Sequence, residues 1–270
     1  MKAAILTESS KPLIIGDVDL PEKLEFGQVL VKVCFSGICG AQINEIDAVK
    51  GPDKFLPHLL GHEGSGIVQE VGPGVTTVKK NDHVVLHWRK SSGIQSPTPK
   101  YKWNKKEINA GWITTFNEYA VISENRLTSI SKNFDLKTAA LFGCAITSGF
   151  GAVNNDAKVK IGQSVLIYGL GGMGLCIADA CSMVSANPIV GIDIHENKLE
   201  FSKKFGVTKT IINKNTDHVK KKINDIFGKK GPEIVFETTG NSKLMEHAYE
   251  ITPNDGKTVY VGVPNDKISI

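Results

Sequence analysis

The sequence predicts an α/β protein, with a mostly antiparallel β domain over residues 1–150 and a doubly wound parallel sheet over 151–270. Two observations predict it. Up to about Ile130, short apolar runs alternate with period two between Gly, Pro, Asn and Asp, as half-buried antiparallel strands do. From Ser164 onward, apolar strand runs alternate with helical patterns, as in a parallel sheet covered on both faces.

In chain order, KAAILTE, QVLVKVCFSGI, GSGIVQEVG, DHVVLHW and NEYAVIS are the predicted strands of a compact barrel or sandwich with few helices. Asp135 to about Asn155 reads as a linking helical stretch. Then come SVLIYG, a helix from about Gly172, NPIVGID, a helix from about Glu196, TKTIIN, a helix near His218 to Phe227, PEIVFET, a helix from about Asn241, and TVYVGV. No internal repeat or low-complexity tract interrupts this order.

A chain of 270 residues is long enough for two ordinary cores, and 41% hydrophobic with 22% charged residues is a globular composition. The net charge of +4 gives no electrostatic footprint for nucleic acid or an anionic membrane. Lys220, Lys221, Lys222, Lys229 and Lys230 are interleaved with acidic and apolar residues, the pattern of a solvated helix face. No run approaches the roughly 18 apolar residues of a membrane helix. MKAAILTESSK meets charge too early for a signal peptide, so a cytoplasmic location is expected. Five scattered cysteines do not make the dense framework of a small secreted domain and read as reduced thiols or metal thiolates.

Gly169-Leu-Gly171-Gly172-Met173-Gly174 follows the run Val165–Tyr168 and opens a helix, which is the G-x-G-x-x-G dinucleotide fingerprint in its required context. The first glycine permits a tight turn, the second admits a pyrophosphate, and the third lets helix and strand pack closely. Asp193 lies 19 residues past Gly174 at the end of the next strand, placed to accept ribose hydroxyls and to repel a 2′-phosphate. NAD is therefore expected over NADP, with Lys198 as a second contact to the ribose edge. Cys176 and Cys181, in the helix behind the glycines, read as packing residues.

Cys39 in SGICGAQ, His62 in LLGHEGSG and Cys144 in LFGCAITSG are two thiolates and an imidazole, a catalytic zinc set with one position open. Taken singly, each cysteine is more often a small buried hydrophobe, and a His beside Glu63 is more often a surface pair. The flanking Gly37, Gly40, Gly61 and Gly64 favour sharp turns that bring distant strands together.

GICG, GHEGSGIVQEVG, the NDHV turn, GCAITSG, and GLGGMG followed by GIDIHENK together resemble the zinc-dependent medium-chain alcohol dehydrogenases along essentially the whole chain. The resemblance implies a GroES-like catalytic domain joined to a Rossmann domain. It also implies zinc as a Lewis acid on the substrate oxygen and hydride passed between an alcohol or polyol and NAD(H). It makes Cys39, His62 and Cys144 the zinc ligands, with Glu63 a neighbouring acid able to approach the metal. It places Ser148 by the nicotinamide, Trp88 in the substrate pocket, and Val261 to Val263 under the nicotinamide ring.

Three departures qualify those expectations. Ala41 stands where the family carries a relay Ser or Thr, Asn44 where it often carries a His, and Gln42 where an Asp often supports the ligand histidine. The substrate proton must then leave by water, Ser148 or the cofactor ribose. No cysteine occurs between Cys39 and Cys144, so one catalytic zinc and no structural zinc is expected. There KYKWNKK, with Tyr101 and Trp103 among lysines, reads as a solvated loop with a packed aromatic, with contact to an anionic substrate the alternative. The family continues into a sixth strand that pairs between subunits and then returns to the catalytic domain, so this chain is expected to be a truncated member, homo-oligomeric when complete. Beside the alcohol dehydrogenase stand two alternatives: a same-fold enzyme acting on a sugar-linked or biosynthetic carbonyl, and a dinucleotide-binding fragment of low activity.

Overall fold

The computed structural model describes residues 1–264 and 266–270 in two compact units, Met1–Cys144 and Ala145–Ile270. The boundary at 150 suggested by sequence falls inside a helix of the second unit.

The first unit is built on strands β1 (Lys2–Leu6), β2 (Ile14–Asp17) and β3 (Gln28–Ser36), helix α1 (Gly40–Ile46), β4 (His58–Leu59), β5 (Glu63–Val71) and β6 (His83–His87). A hairpin of β7 (Tyr101–Trp103) and β8 (Lys106–Ile108) follows, then β9 (Tyr119–Ser123), β10 (Leu127–Ile130) and α2 (Leu136–Ala140). Two antiparallel sheets result, in the orders β2-β1-β4 and β10-β6-β5-β3-β9. Period-two alternation sends Val29 and Val31 of β3 into one core with Val68, Leu86, Ala120 and Ile122. Ala3, Ile5, Leu59, Tyr101, Ile108 and Val121 form a second core under the smaller sheet. β3 slips register against β5 at Leu30/Val31 and Val33/Phe35, and its last residue Ser36 faces Gly64. That pairing delivers the Gly37–Cys39 turn to the start of β5.

The packed aromatic expected in KYKW is present, but it sits on a strand of a β-hairpin and not in a solvated loop. Tyr101 is fully buried, its hydroxyl accepts the Val121 N–H at 2.7 Å, and burial pushes its pKa up to about 12. The β7–β8 hairpin turns through Asn104 and Lys105, both left-handed (φ 52° and 64°).

The segment after β6 is anchored at Ile94 by Glu124, a fully buried carboxylate. One oxygen accepts the N–H groups of Thr76 at 2.7 Å and Thr77 at 2.8 Å, and the other accepts that of Ile94 at 2.7 Å. Burial alone raises the Glu124 pKa, but the Thr76, Ile94 and Thr77 amides outweigh it and the net shift is downward. A depressed folded-state pKa contributes stability that is complete above the unfolded value of about 4.3 and fades as pH falls through the folded one. Glu124→Gln sets an amide N–H₂ against backbone donors and should lower stability in urea unfolding by about 3 kcal/mol at neutral pH. The gap between variant and parent should shrink in acid.

The second unit opens with α3 (Ala145–Gly151) and a π-helical turn at Ala152–Ala157. It continues as β11 (Val165–Tyr168), α4 (Gly172–Met183), β12 (Ile189–Asp193), α5 (Glu196–Ser202), β13 (Lys209–Ile212), α6 (Thr216–Phe227), β14 (Ile234–Glu237), α7 (Ser242–Ile251) and β15 (Lys257–Tyr260). All sheet pairings are parallel, in the order β13-β12-β11-β14-β15. Val165 and Ile167 face Ile177, Ala178 and Cys181 of α4, whereas Leu166 and Tyr168 face Val219 and Ile223 of α6 and Ala248 of α7. Both faces are covered, which is why these strands read as unbroken apolar runs. The order reverses between β11 and β14, so the carboxyl ends of these strands are where a doubly wound sheet opens its ligand crevice. Among the described residues no single helix is long and apolar enough to cross a membrane.

Candidate metal and cofactor sites

In the first unit, Cys39 takes the position just before α1, His62 closes the loop entering β5, and Cys144 ends the turn after α2. One ligand atom from each lies within 4.8 Å of the other two, and the two sulfurs are 4.0 Å apart. Tetrahedral Zn–S bonds of about 2.3 Å require a sulfur–sulfur edge of about 3.8 Å, so the pair is already at ligand spacing. Hydrogen bonding from Cys144, and then from His62, lowers the Cys39 thiol to about 4 against the opposing effect of burial. The lowering favours the thiolate, the form that binds metal.

Glu63, the first residue of β5, is 3% exposed and packs against Gly37, where a Cβ would sit 2.6 Å from its carboxyl carbon. It follows His62 directly in the chain, beside the set formed by Cys39, His62 and Cys144. Ala41 and Asn44 lie three apart on α1, hence on one face, with Ala41 exposed and Asn44 half-buried. Trp88 is fixed by backbone: its N–H bonds Gly143 O at 3.3 Å, and it follows His87, which pairs with Glu63. Gln42 acts differently from an imidazole partner. Its amide oxygen accepts the N–H of Gly61, one residue before His62, and its Nε2 donates to Glu45 at 2.8 Å. Support for the ligand histidine thus travels through the backbone.

In the second unit, Gly169 has φ +85°, and a Cβ there would lie 2.7 Å from Thr238 Oγ1. Nothing lies within 4 Å of a Cβ built at Gly171 or Gly172, whereas one at Gly174 would fall on the Gly169 carbonyl oxygen. The turn is open where a pyrophosphate approaches and closed where α4 meets β11, with Met173 packed on the core behind it. Asp193, 8% exposed at the end of β12, accepts the N–H of Leu170 at 2.9 Å and of His195 at 3.0 Å. A carboxylate has about four lone-pair sites, so acceptor capacity remains for ribose hydroxyls. Lys198 is exposed in the first turn of α5. Val261 and Val263 follow β15, and the Val261 N–H bonds Glu237 O at 2.8 Å, which puts this segment at the carboxyl edge beside β14. Ser148 is half-buried in α3.

Residue patterns alone passed over Glu237 and Thr238. The fully buried Glu237 carboxylate accepts the N–H groups of Thr239 at 2.7 Å and Gly240 at 3.1 Å. Thr238 Oγ1 lies 2.8 Å from Tyr168 O and 3.0 Å from Gly169 O, so its one proton is shared between the strand end and the glycine turn. An acid and two threonines directly after an apolar strand, in FETTG, were the available signal.

Residues 25–132 match the alcohol dehydrogenase GroES-like domain family and residues 172–270 the zinc-binding dehydrogenase family. S-(hydroxymethyl)glutathione dehydrogenase of Escherichia coli O6:H1 is 32% identical over 293 residues, covering 97% of this chain and 78% of that protein. The chain belongs to the zinc-dependent medium-chain alcohol dehydrogenases. An alcohol dehydrogenase zinc-binding domain protein from Burkholderia ambifaria superposes with a TM-score of 0.87 at 25% identity, covering 99% of this chain and 79% of that one. Benzyl alcohol dehydrogenase from Acinetobacter calcoaceticus gives 0.85, with the same identity and coverage. The antiparallel unit is thus the GroES-like domain and the parallel one the Rossmann domain. As a member of the family, the chain is an NAD-dependent zinc oxidoreductase that moves hydride between an alcohol and its carbonyl form. The two sites above fit that chemistry: a soft three-ligand set matches zinc, and an open cradle at Gly171 matches the dinucleotide.

Proposed function

We propose that this alcohol dehydrogenase holds a single zinc on Cys39, His62 and Cys144 and carries NAD(H) on the Gly169–Gly174 turn. With them it oxidises an alcohol or polyol or reduces the matching aldehyde or ketone. The observation that carries this reading is the mutual reach of the three ligand atoms, a soft donor set that would hold zinc with room for a further ligand. When bound, zinc supplies Lewis acidity and NAD supplies the hydride acceptor.

The chain's own groups do the rest. Gln42 sets the His62 loop, and Glu63 is the buried acid next to His62 in the chain. Asp193 favours NAD by accepting hydroxyls and repelling a 2′-phosphate, with Lys198 at the ribose edge. Ser148 and Val261 to Val263 serve the nicotinamide end, and Trp88 bounds the substrate. Ala41 offers no hydroxyl and Asn44 no titrating group, so the substrate proton leaves by water, Ser148 or the cofactor ribose. The partner is a small molecule, and a homo-oligomer in the cytoplasm is expected.

Steady-state formation of NADH from a panel of primary alcohols and polyols, with and without a zinc chelator, tests the assignment. Turnover abolished by the chelator and restored by zinc is expected; chelator-resistant turnover would refute the metal role. In the same assay Ala41→Ser should raise kcat for simple primary alcohols, and an unchanged or lower kcat would mean that proton exit at position 41 does not limit the reaction.

A further inference from the structure

Glu237 ends β14, and both its carbonyl and its carboxylate hold neighbouring segments. The carbonyl oxygen accepts two N–H groups, from Val261 at 2.8 Å and from Gly262 at 3.0 Å. The buried carboxylate accepts the N–H of Thr239 at 2.7 Å on one oxygen and that of Gly240 at 3.1 Å on the other. The Thr239 hydroxyl also donates to the first oxygen. A carboxylate buried in this way is tolerated only because donors converge on it. The segments it joins meet without room for side chains. A Cβ at Gly262 would fall on Gly240 N and lie 2.7 Å from Glu237 Oε2. One at Gly240, itself at φ +71°, would lie 2.5 Å from Val263 O.

Sheet order shows what this joint serves. β12, which ends at Asp193, flanks β11 on one side, and β14 and β15 lie on the other. With its adenosine ribose at Asp193 and its pyrophosphate at the glycine turn, a dinucleotide must extend its second half over the carboxyl ends of β14 and β15. Residues 261–263 run there, directly after β15. Thr238 serves the other end, since its hydroxyl proton is shared between Tyr168 O and Gly169 O. Adjacent side chains at the end of β14 thus hold the pyrophosphate turn and the nicotinamide-side segment separately.

We infer that Glu237 is a positioning residue for the nicotinamide half of the cofactor: its carboxylate fixes the crossing of residues 239–240 with 261–263, and so the surface on which that half lies. This rests on the NAD reading above and adds a residue to it.

Calorimetric titration with NADH and with ADP-ribose, which has the adenosine and pyrophosphate but no nicotinamide, separates the two ends. Glu237→Gln keeps an acceptor for Thr239 but turns an amide N–H₂ towards the Gly240 N–H, the point at which Gly262 packs. It should weaken NADH about 10-fold and leave ADP-ribose within about 2-fold of the parent. Thr238→Val acts on the glycine turn and should weaken both ligands by the same factor. Gly262→Ala presses on the joint from the opposite side with the carboxylate intact, and should reproduce the selective loss of NADH whether or not Glu237→Gln folds. Equal losses of the two ligands in these joint variants overturn the inference, because a general loosening of the unit moves both. Parent-like NADH affinity in them overturns it as well. If ADP-ribose fails to bind the parent, the cofactor reading itself fails, and this inference with it.

Discussion

Replacing Gly174 with alanine should weaken NAD binding at least about 100-fold, roughly 2.7 kcal/mol, and also destabilise the second unit by about 1–3 kcal/mol. The added Cβ would fall on the carbonyl oxygen of Gly169 and lie 3.5 Å from Ile167 Cγ2, so α4 must move off β11. That movement displaces the helix start whose amides face the pyrophosphate. Gly171→Ala makes the contrasting case, because nothing lies within 4 Å of its Cβ. It should keep the parent's thermal stability and still lose NAD, because the methyl occupies the space needed by the phosphates. Calorimetric titration with NAD beside thermal melts separates the two variants. A Gly174→Ala protein that binds NAD like the parent would refute the close-packing role.

Removing a metal ligand should have the larger effect on activity. Cys39→Ala or Cys144→Ala leaves two of the three donors, and metal affinity in such sites rests on the full set with its geometry. Turnover should fall to background in either variant while NAD still binds, since the glycine turn lies in the other unit. Gln42→Leu should act more mildly, weakening zinc about 10- to 100-fold in a chelator competition, because it frees the Gly61 N–H without deleting a ligand.

The second unit was largely legible before its structure. Strands buried on both faces must be apolar throughout, so SVLIY, PIVGID and EIVFE could hardly be read otherwise, and the glycine turn has fixed spacing. In the first unit the central strands β3, β5, β6 and β9 announced themselves by alternation. The strands β2 and β4 did not: Ile14–Asp17 is an exposed edge and His58–Leu59 is two residues long. Helix α1 was missed because GAQINEI is short and carries no apolar stripe.

At the sites, Cys39, His62 and Cys144 were legible as residue types flanked by glycines, and from the resemblance, but not from their spacing. Glu124 and Gln42 bond to backbone amides that only the tertiary fold brings to them. The turn at Asn104-Lys105 lacks glycine, which is why the KYKW hairpin read as a loop.

The central claim is that one zinc sits on three residues of the first unit. Elemental analysis of the purified protein and of its Cys39→Ala variant tests it most directly. About one zinc per chain in the parent and close to none in the variant is the predicted result. Two zincs per chain, or a variant that keeps the parent's zinc, would contradict it.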